Sequence, residues 1–253
     1  MKIIAIDCSG QVASCALVED DNVIAEYNIQ YKKTHSQTLL PMLDEIKKTT
    51  ELDLGSVDAV ATAKGPGSFT GLRIGSATVK GLAGALDIPI VEIGTLEGMA
   101  CNMYGSDSLI CPIMDARRNQ VYTGVYAFEK STDGYELREL LSQCAVSIEE
   151  IIDKVTDLAD KYKKDVIFLG DGVPVFAERI KERMKTPFSF APAHMNRQRA
   201  AAFGALAIKR YREGRYVSCF DHVPEYLRLS QAERQKNEGI VTKGSDYQTD
   251  DGK

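Results

Sequence analysis

Short apolar runs separated by polar turns open the chain. Residues 3–6 (Ile3, Ile4, Ala5, Ile6) suit a buried strand and run straight into Asp7. Runs at 13–18 and 23–27 follow, with a polar turn at 20–22 between them. The pattern predicts a three-stranded meander with an acid at the tip of its first strand. Residues 35–49 carry Leu39, Leu40, Met42, Leu43 and Ile46 on a broad helical face. Pro41 inside that face predicts either a helix start near it or a kink. A strand at 58–63, a helix at 71–86 and a strand at 88–93 complete a β-β-β-α-β-α-β half.

A second half begins the same way. A strand at 109–114 ends in Asp115, and strands at 120–128 and 134–141 follow. Residues 147–164 read as a helix: Ser147 and Glu150 form a capping box, and Ile148, Ile151, Ile152, Val155, Leu158 and Ala159 share one face. A strand at 166–169 and helices at 175–184 and 196–213 complete it. The repeated plan predicts an internal duplication, with an N-terminal lobe over 1–104 and a C-terminal lobe over 105–230. Residues 231–253 are polar and nearly free of apolar side chains, which predicts a disordered tail.

Between the fourth strand and the second helix lies Lys64-Gly65-Pro66-Gly67-Ser68-Phe69-Thr70-Gly71-Leu72-Arg73-Ile74-Gly75. The glycines around Pro66 force a tight strand-to-helix turn, and Ser68 or Thr70 can cap the helix. Such a turn is either purely structural or an anion cradle built from free N–H groups. It is not a P-loop, because no Lys-Ser or Lys-Thr follows at the required offset. It is not the dinucleotide fingerprint either, because Thr70 stands where the third glycine belongs.

Composition narrows the function classes. A net charge of −5 argues against extensive autonomous nucleic-acid binding, which needs a concentrated basic face. The cysteines at 8, 15, 101, 111, 144 and 219 form no Cys-x-x-Cys pair and have no histidine at ligand spacing, so they read as buried thiols of a reducing compartment. The amino terminus meets a charge too soon for a secretory segment, and no apolar run approaches the roughly 18 residues of a membrane span. A cytoplasmic protein is expected.

Two stretches, Ile3 to Asp7 and the glycine-turn dodecamer Lys64 to Gly75, closely resemble the bacterial TsaB family. Met114-Asp115-Ala116-Arg117-Arg118 and Pro224-Glu225-Tyr226-Leu227-Arg228 add support. The resemblance covers about residues 1–230. It implies an α/β, duplicated actin-like ATPase (RNase H-like) fold, with two lobes that each hold a mixed sheet flanked by helices. It also implies a non-catalytic dimerisation subunit without a cofactor. That subunit would partner TsaD, which transfers threonylcarbamoyl to adenosine next to the anticodon of tRNA, and TsaE, the ATPase of the same machinery. TsaD-type sequences carry two metal-binding histidines four residues apart, just after the strand equivalent to 88–93. Thr95 and Met99 stand there in this chain, and neither replaces an imidazole. His35, His194 and His222 lie elsewhere in the sequence.

By analogy with active members of the superfamily, Asp7, Ser9, Asp115 and Asp171 are vestigial candidates for a nucleotide or metal site. Each also has a structural reading as a strand-end carboxylate or turn residue. An ATP-binding phosphotransferase or ATPase of that superfamily is the enzymatic alternative. A peptidase acting on TsaD, with Ser68 as nucleophile, is the weaker one, since the metal ligands are missing and no His or Asp lies near Ser68 in sequence. Helix 71–86 is rich in glycine and alanine, which lets another backbone come close. The resemblance implies that this helix and helix 35–49 form a bundle with the matching pair of TsaD or of a second copy. Leu39, Leu43, Ile46, Arg73, Ala77 and Lys80 are the expected contacts, and tRNA would be reached through the complex.

Overall fold

The computed structural model describes residues 1–31, 34–132 and 134–228. The expected tail from Gln231 lies outside the described residues. Strands β1 (Lys2–Asp7), β2 (Ala13–Glu19) and β3 (Asn22–Ile29) form the predicted meander. Strands β4 (Ala59–Gly65) and β5 (Ile90–Gly94) run parallel to β1, giving a five-stranded sheet of order β3-β2-β1-β4-β5. The second half repeats the order with β6 (Leu109–Asp115), β7 (Gln120–Ser131), β8 (Gly134–Ser147), β9 (Val166–Leu169) and β10 (Phe188–Phe190). Its sheet reads β10-β9-β6-β7-β8. The duplicated actin-like plan is therefore present. The three-residue β10 carries too short a pattern to be read from sequence.

Strand alternation splits each central strand between two cores. Ile4, Ile6 and Val60 face one side of the first sheet, where helices α1 (His35–Thr49) and α2 (Phe69–Leu86) cover them. Helix α1 runs straight through Pro41, whose missing N–H falls on the solvent side. The equivalent layer of the second sheet is α4 (Ile148–Tyr162) and α5 (Val173–Arg183). Ser147 caps α4 by accepting from the Glu150 N–H at 3.1 Å. The Glu150 carboxylate turns instead to Lys154, at 2.7 Å, so only half of the expected box forms.

The other side of each sheet is covered by exchange. Helix α3 (Thr95–Ala100) ends the first half but packs Leu96, Met99 and Ala100 against Ile110, Met114, Tyr126 and Phe128 of the second sheet. Helix α6 (Ala200–Arg212) ends the second half but lays Ala200, Phe203, Ala207 and Ile208 on Ile3, Ala5, Ala16, Val18, Ala59 and Ala61 of the first. Helix α6 thus lies within 105–230 by sequence but packs on the first sheet. The alanine-lined face of the first sheet admits a close-packing cover, and among the described residues α6 supplies it. The chain beyond α6 stays with the first sheet too, exchanging two 2.9 Å backbone hydrogen bonds between Ile90 and Val217.

The exchanged helices cross where Gly98 meets Phe203, and a Cβ on Gly98 would lie 2.4 Å from the ring. The ring is fully buried and has no room to yield. Gly98→Ala is therefore expected to destabilise the chain by about 1–3 kcal/mol through overpacking, and Phe203→Ala by roughly 3–5 kcal/mol through a cavity. Urea unfolding of the two variants and of Gly98→Ala with Phe203→Leu checks this. The double variant should recover part of the Gly98→Ala loss, whereas additive losses would show that the two residues are not coupled.

Candidate functional site

Both lobes end their first strand on an aspartate beside a glycine turn. After β1, Asp7 Oδ1 accepts the Ser9 N–H at 2.7 Å. The turn that follows β4 then folds onto this hairpin: the Ser68 N–H donates to the Ser9 carbonyl at 2.7 Å. A Cβ at Gly67 would stand 2.3 Å from that carbonyl oxygen, and one at Gly71 would stand 2.0 Å from the Cys8 oxygen. After β9 the arrangement recurs. The Gly172 N–H donates to Ile113 O at 3.0 Å, and Asp171 Oδ1 accepts the Asp115 N–H at 3.1 Å. Gly170 takes φ +108° where a Cβ would lie 2.1 Å from Ile113 O. The glycines are needed because backbone approaches backbone, which settles their structural role.

Ser9, Asp115 and Asp171 nevertheless line one cleft between the lobes, of about 390 Å³, together with Ser68, Arg117 and Arg228. Asp115 is held by the Arg117 N–H at 2.8 Å and its guanidinium at 3.2 Å. Burial holds the Asp171 carboxyl above the usual carboxylate range. Asp7 is not brought to the cleft surface. It lies fully buried behind Ser9, its Oδ2 and the Ser9 Oγ have no hydrogen-bond partner among the described residues, and burial pushes its carboxyl up to about 6.

Ser68 is used as the cap of α2, its Oγ accepting the Gly71 N–H at 3.2 Å, and the His35 ring donates to the Gly10 carbonyl at 2.9 Å. The two therefore make no nucleophile–base pair. Thr95 and Met99 are fully buried on α3, and Met99 lies in the core of the second lobe. Among the described residues no group of three or more His, Cys, Asp or Glu side chains is placed to hold a metal, and no helix is long and apolar enough to cross a membrane.

The outer face of α1 and α2 corrects part of the expected contact set. Leu39 and Ile46 are buried at 1% and 2% exposure in the first lobe's own core, because the helix turns them onto Ile4 and Ile6. Leu43 packs partly against the same core, while Leu40, 61% exposed, points outward. On α2, Arg73 and Ala77 are exposed and Lys80 is half-buried. Gly71 is explained by Cys8, and Gly84 meets Cys219 Sγ, but a Cβ on Gly81 would find nothing within 4 Å. Nothing in the described chain accounts for a glycine there, although glycine costs about 1 kcal/mol against alanine inside a helix.

A strap of residues 222–228, beyond α6, completes this region, and the pattern of apolar positions did not reveal it. The Glu225 N–H donates to Lys64 O at 2.7 Å, and Tyr226 stacks on Phe69 with ring centres 4.5 Å apart. Beneath it, buried His222 and Lys64 each bind the Glu92 carboxylate at 2.7 Å. Sequence reasoning also missed the three successive left-handed residues Arg117, Arg118 and Asn119, which no glycine marks.

Asp7 yields a pH prediction with a definite sign. Its folded carboxyl titrates near 6 and its unfolded one near 3.8, so between those values the folded state holds a proton that the unfolded state has lost. The Asp7 contribution to stability is greatest below the unfolded value and is lost as pH rises through 6. Asp7→Asn removes this loss and should gain on the parent by roughly 2–3 kcal/mol at pH 8 relative to pH 4. Urea midpoints at the two pH values measure it, and a constant difference would refute the assignment.

The profile for TsaD, tRNA N6-adenosine threonylcarbamoyltransferase, matches residues 22–236. The tRNA threonylcarbamoyladenosine biosynthesis protein TsaB of Bacillus subtilis is 34% identical over 233 residues, which is 92% of this chain and 96% of that one. The protein of the same description from Escherichia coli is 35% identical over 128 residues, or 50% of this chain and 55% of its own. The solved structure of YeaZ from Pseudomonas aeruginosa superposes with a TM-score of 0.72 at 27% identity, covering 89% of this chain and 100% of that one. With its duplicated fold and backbone-packed glycine turns, the chain belongs to the TsaB family of tRNA threonylcarbamoyladenosine biosynthesis proteins.

Proposed function

We propose that this chain is the non-catalytic dimerisation subunit of the machinery that forms threonylcarbamoyladenosine in tRNA. It works by binding TsaD through the outer face of α1 and α2, and TsaE and tRNA are reached through that complex. The observation that carries the reading is Gly81. It leaves a bare strip on α2 beside Ala77, over which a partner helix can approach at short distance. Arg73 and Lys80 flank the strip, and Leu40 extends it onto α1. The absence of a TsaD-like histidine pair at Thr95 and Met99 supports a subunit that leaves the transfer step to its partner. A second copy of the chain would use the same face, so homodimer and heterodimer compete.

The cleft lined by Ser9, Asp115 and Asp171 favours one second reading, an ATP-binding role in this cleft. Tight magnesium-dependent ATP binding by the isolated chain would support it.

Light-scattering chromatography with purified TsaD tests the first reading. A stable heterodimer is expected, and Ala77→Arg on the open strip should weaken it at least tenfold without unfolding the chain. Gly81→Ala should stabilise the isolated chain by about 1 kcal/mol while weakening the complex. A complex indifferent to both changes moves the interface elsewhere. Full-rate tRNA modification by TsaD without this chain would overturn the proposal.

A further inference from the structure

A second cavity, of about 440 Å³, opens between the lobes on the flank where the end of β5 and α3 face β7 and β8. It lies beneath the strap, apart from the Ser9–Asp115 cleft, and shares no lining residue with it. Its inner wall holds Tyr126, whose ring is 1% exposed and whose hydroxyl has no hydrogen-bond partner among the described residues. Burial holds that phenol above its ordinary value, so the hydroxyl stays protonated and can both donate and accept. In the same lining the buried Gln143 Oε1 is likewise unpartnered among the described residues. Gly94 leaves these groups room, since a Cβ there would lie 3.1 Å from Gln143 Oε1 and 3.4 Å from Glu97 Oε2.

Charge decides what such a cavity holds. Its cations are already matched. Lys64 binds Glu92 at 2.7 Å, Arg210 forks onto Glu97, and Arg215 reaches Glu213 at 3.2 Å. Two further lining carboxylates, Glu139 and Glu225, have no cationic partner among the described residues. Glu139 accepts only the Ser142 hydroxyl, at 2.6 Å. Unmatched acceptors therefore surround the space: two carboxylates, an amide oxygen and a phenol oxygen. Tyr216, also in the lining, adds an aromatic face suited to a methylene stem or an ammonium group. Among the described residues an anion would find no free cation there, and a hard metal ion no cluster of ligands.

We infer that this cavity binds an aliphatic polyamine, with an ammonium group held by Glu139, Gln143 and the Tyr126 hydroxyl. The site is independent of the dimerisation reading, because it is tested on this chain alone.

Isothermal titration of the purified chain with spermidine, and with putrescine as the shorter probe, tests it. Saturable one-to-one binding is expected. Glu139→Gln and Tyr126→Phe should each weaken it about tenfold, the effect of removing one hydrogen bond to a charged group. Glu139 is at the surface, so its variant folds as the parent does even if Tyr126→Phe does not. Glu149→Gln, on α4 outside the cavity, should bind as the parent. No saturable heat in the millimolar range overturns the inference. So does an equal loss in Glu139→Gln and Glu149→Gln, which marks diffuse attraction to an acidic protein. Parent-like binding by Glu139→Gln overturns it as well.

Discussion

The crossing of Gly98 and Phe203 is the contact on which the two-lobed arrangement depends. Each half of the duplicated plan would leave one sheet face bare, and each lends its last helix to the other half. The two exchanged helices cross where a missing side chain on α3 admits a fully buried ring from α6. The junction is pinned on both sides. Asn102 donates to the Met195 and Arg197 carbonyls at 3.0 and 2.7 Å, and Arg210 grips Glu97 at the other end. With sequence-distant helices filling each other's cores, the lobes are packed as one body, and the clefts between them have walls contributed by both halves.

The glycine turns of both lobes form part of those walls. In this chain the turns after β4 and β9 press their backbones onto the ends of β1 and β6. The Ser68 and Gly172 N–H groups are consumed by the Ser9 and Ile113 carbonyls. A turn whose N–H groups already have backbone acceptors has fewer left to offer a phosphate. The buried Asp7 is tied into the same hairpin, its Oδ1 accepting the Ser9 N–H.

The family resemblance and the geometry bear on different parts of the molecule. The specific dodecamer Lys64 to Gly75 builds the cap and the first turns of α2, and its glycines at 65, 67 and 71 are accounted for inside the chain. Gly81, five residues beyond Ser76, is not, and it lies on the surface where a partner is proposed. On the opposite flank, Tyr126 and Gln143 leave buried polar atoms unpaired toward a cavity that no motif announces.

Alternation and helical periodicity were enough to read the meander, the duplication, both long helices of the first lobe and the acids that end β1 and β6. These are local consequences of side-chain spacing on a strand or a helix. Periodicity also identified α6 but could not say which sheet it covers, because an alanine-rich face fits any close-packed surface of matching shape. It likewise marked Leu39 and Ile46 as apolar without telling core from interface, a distinction set by which way α1 is rotated on its sheet. The strap over Phe69, the left-handed run at Arg117 to Asn119 and the pairing of Glu92 with His222 join positions far apart in sequence or defy local preference. Such features exist only once the lobes have packed, since their energy comes from contacts that no short window of sequence contains.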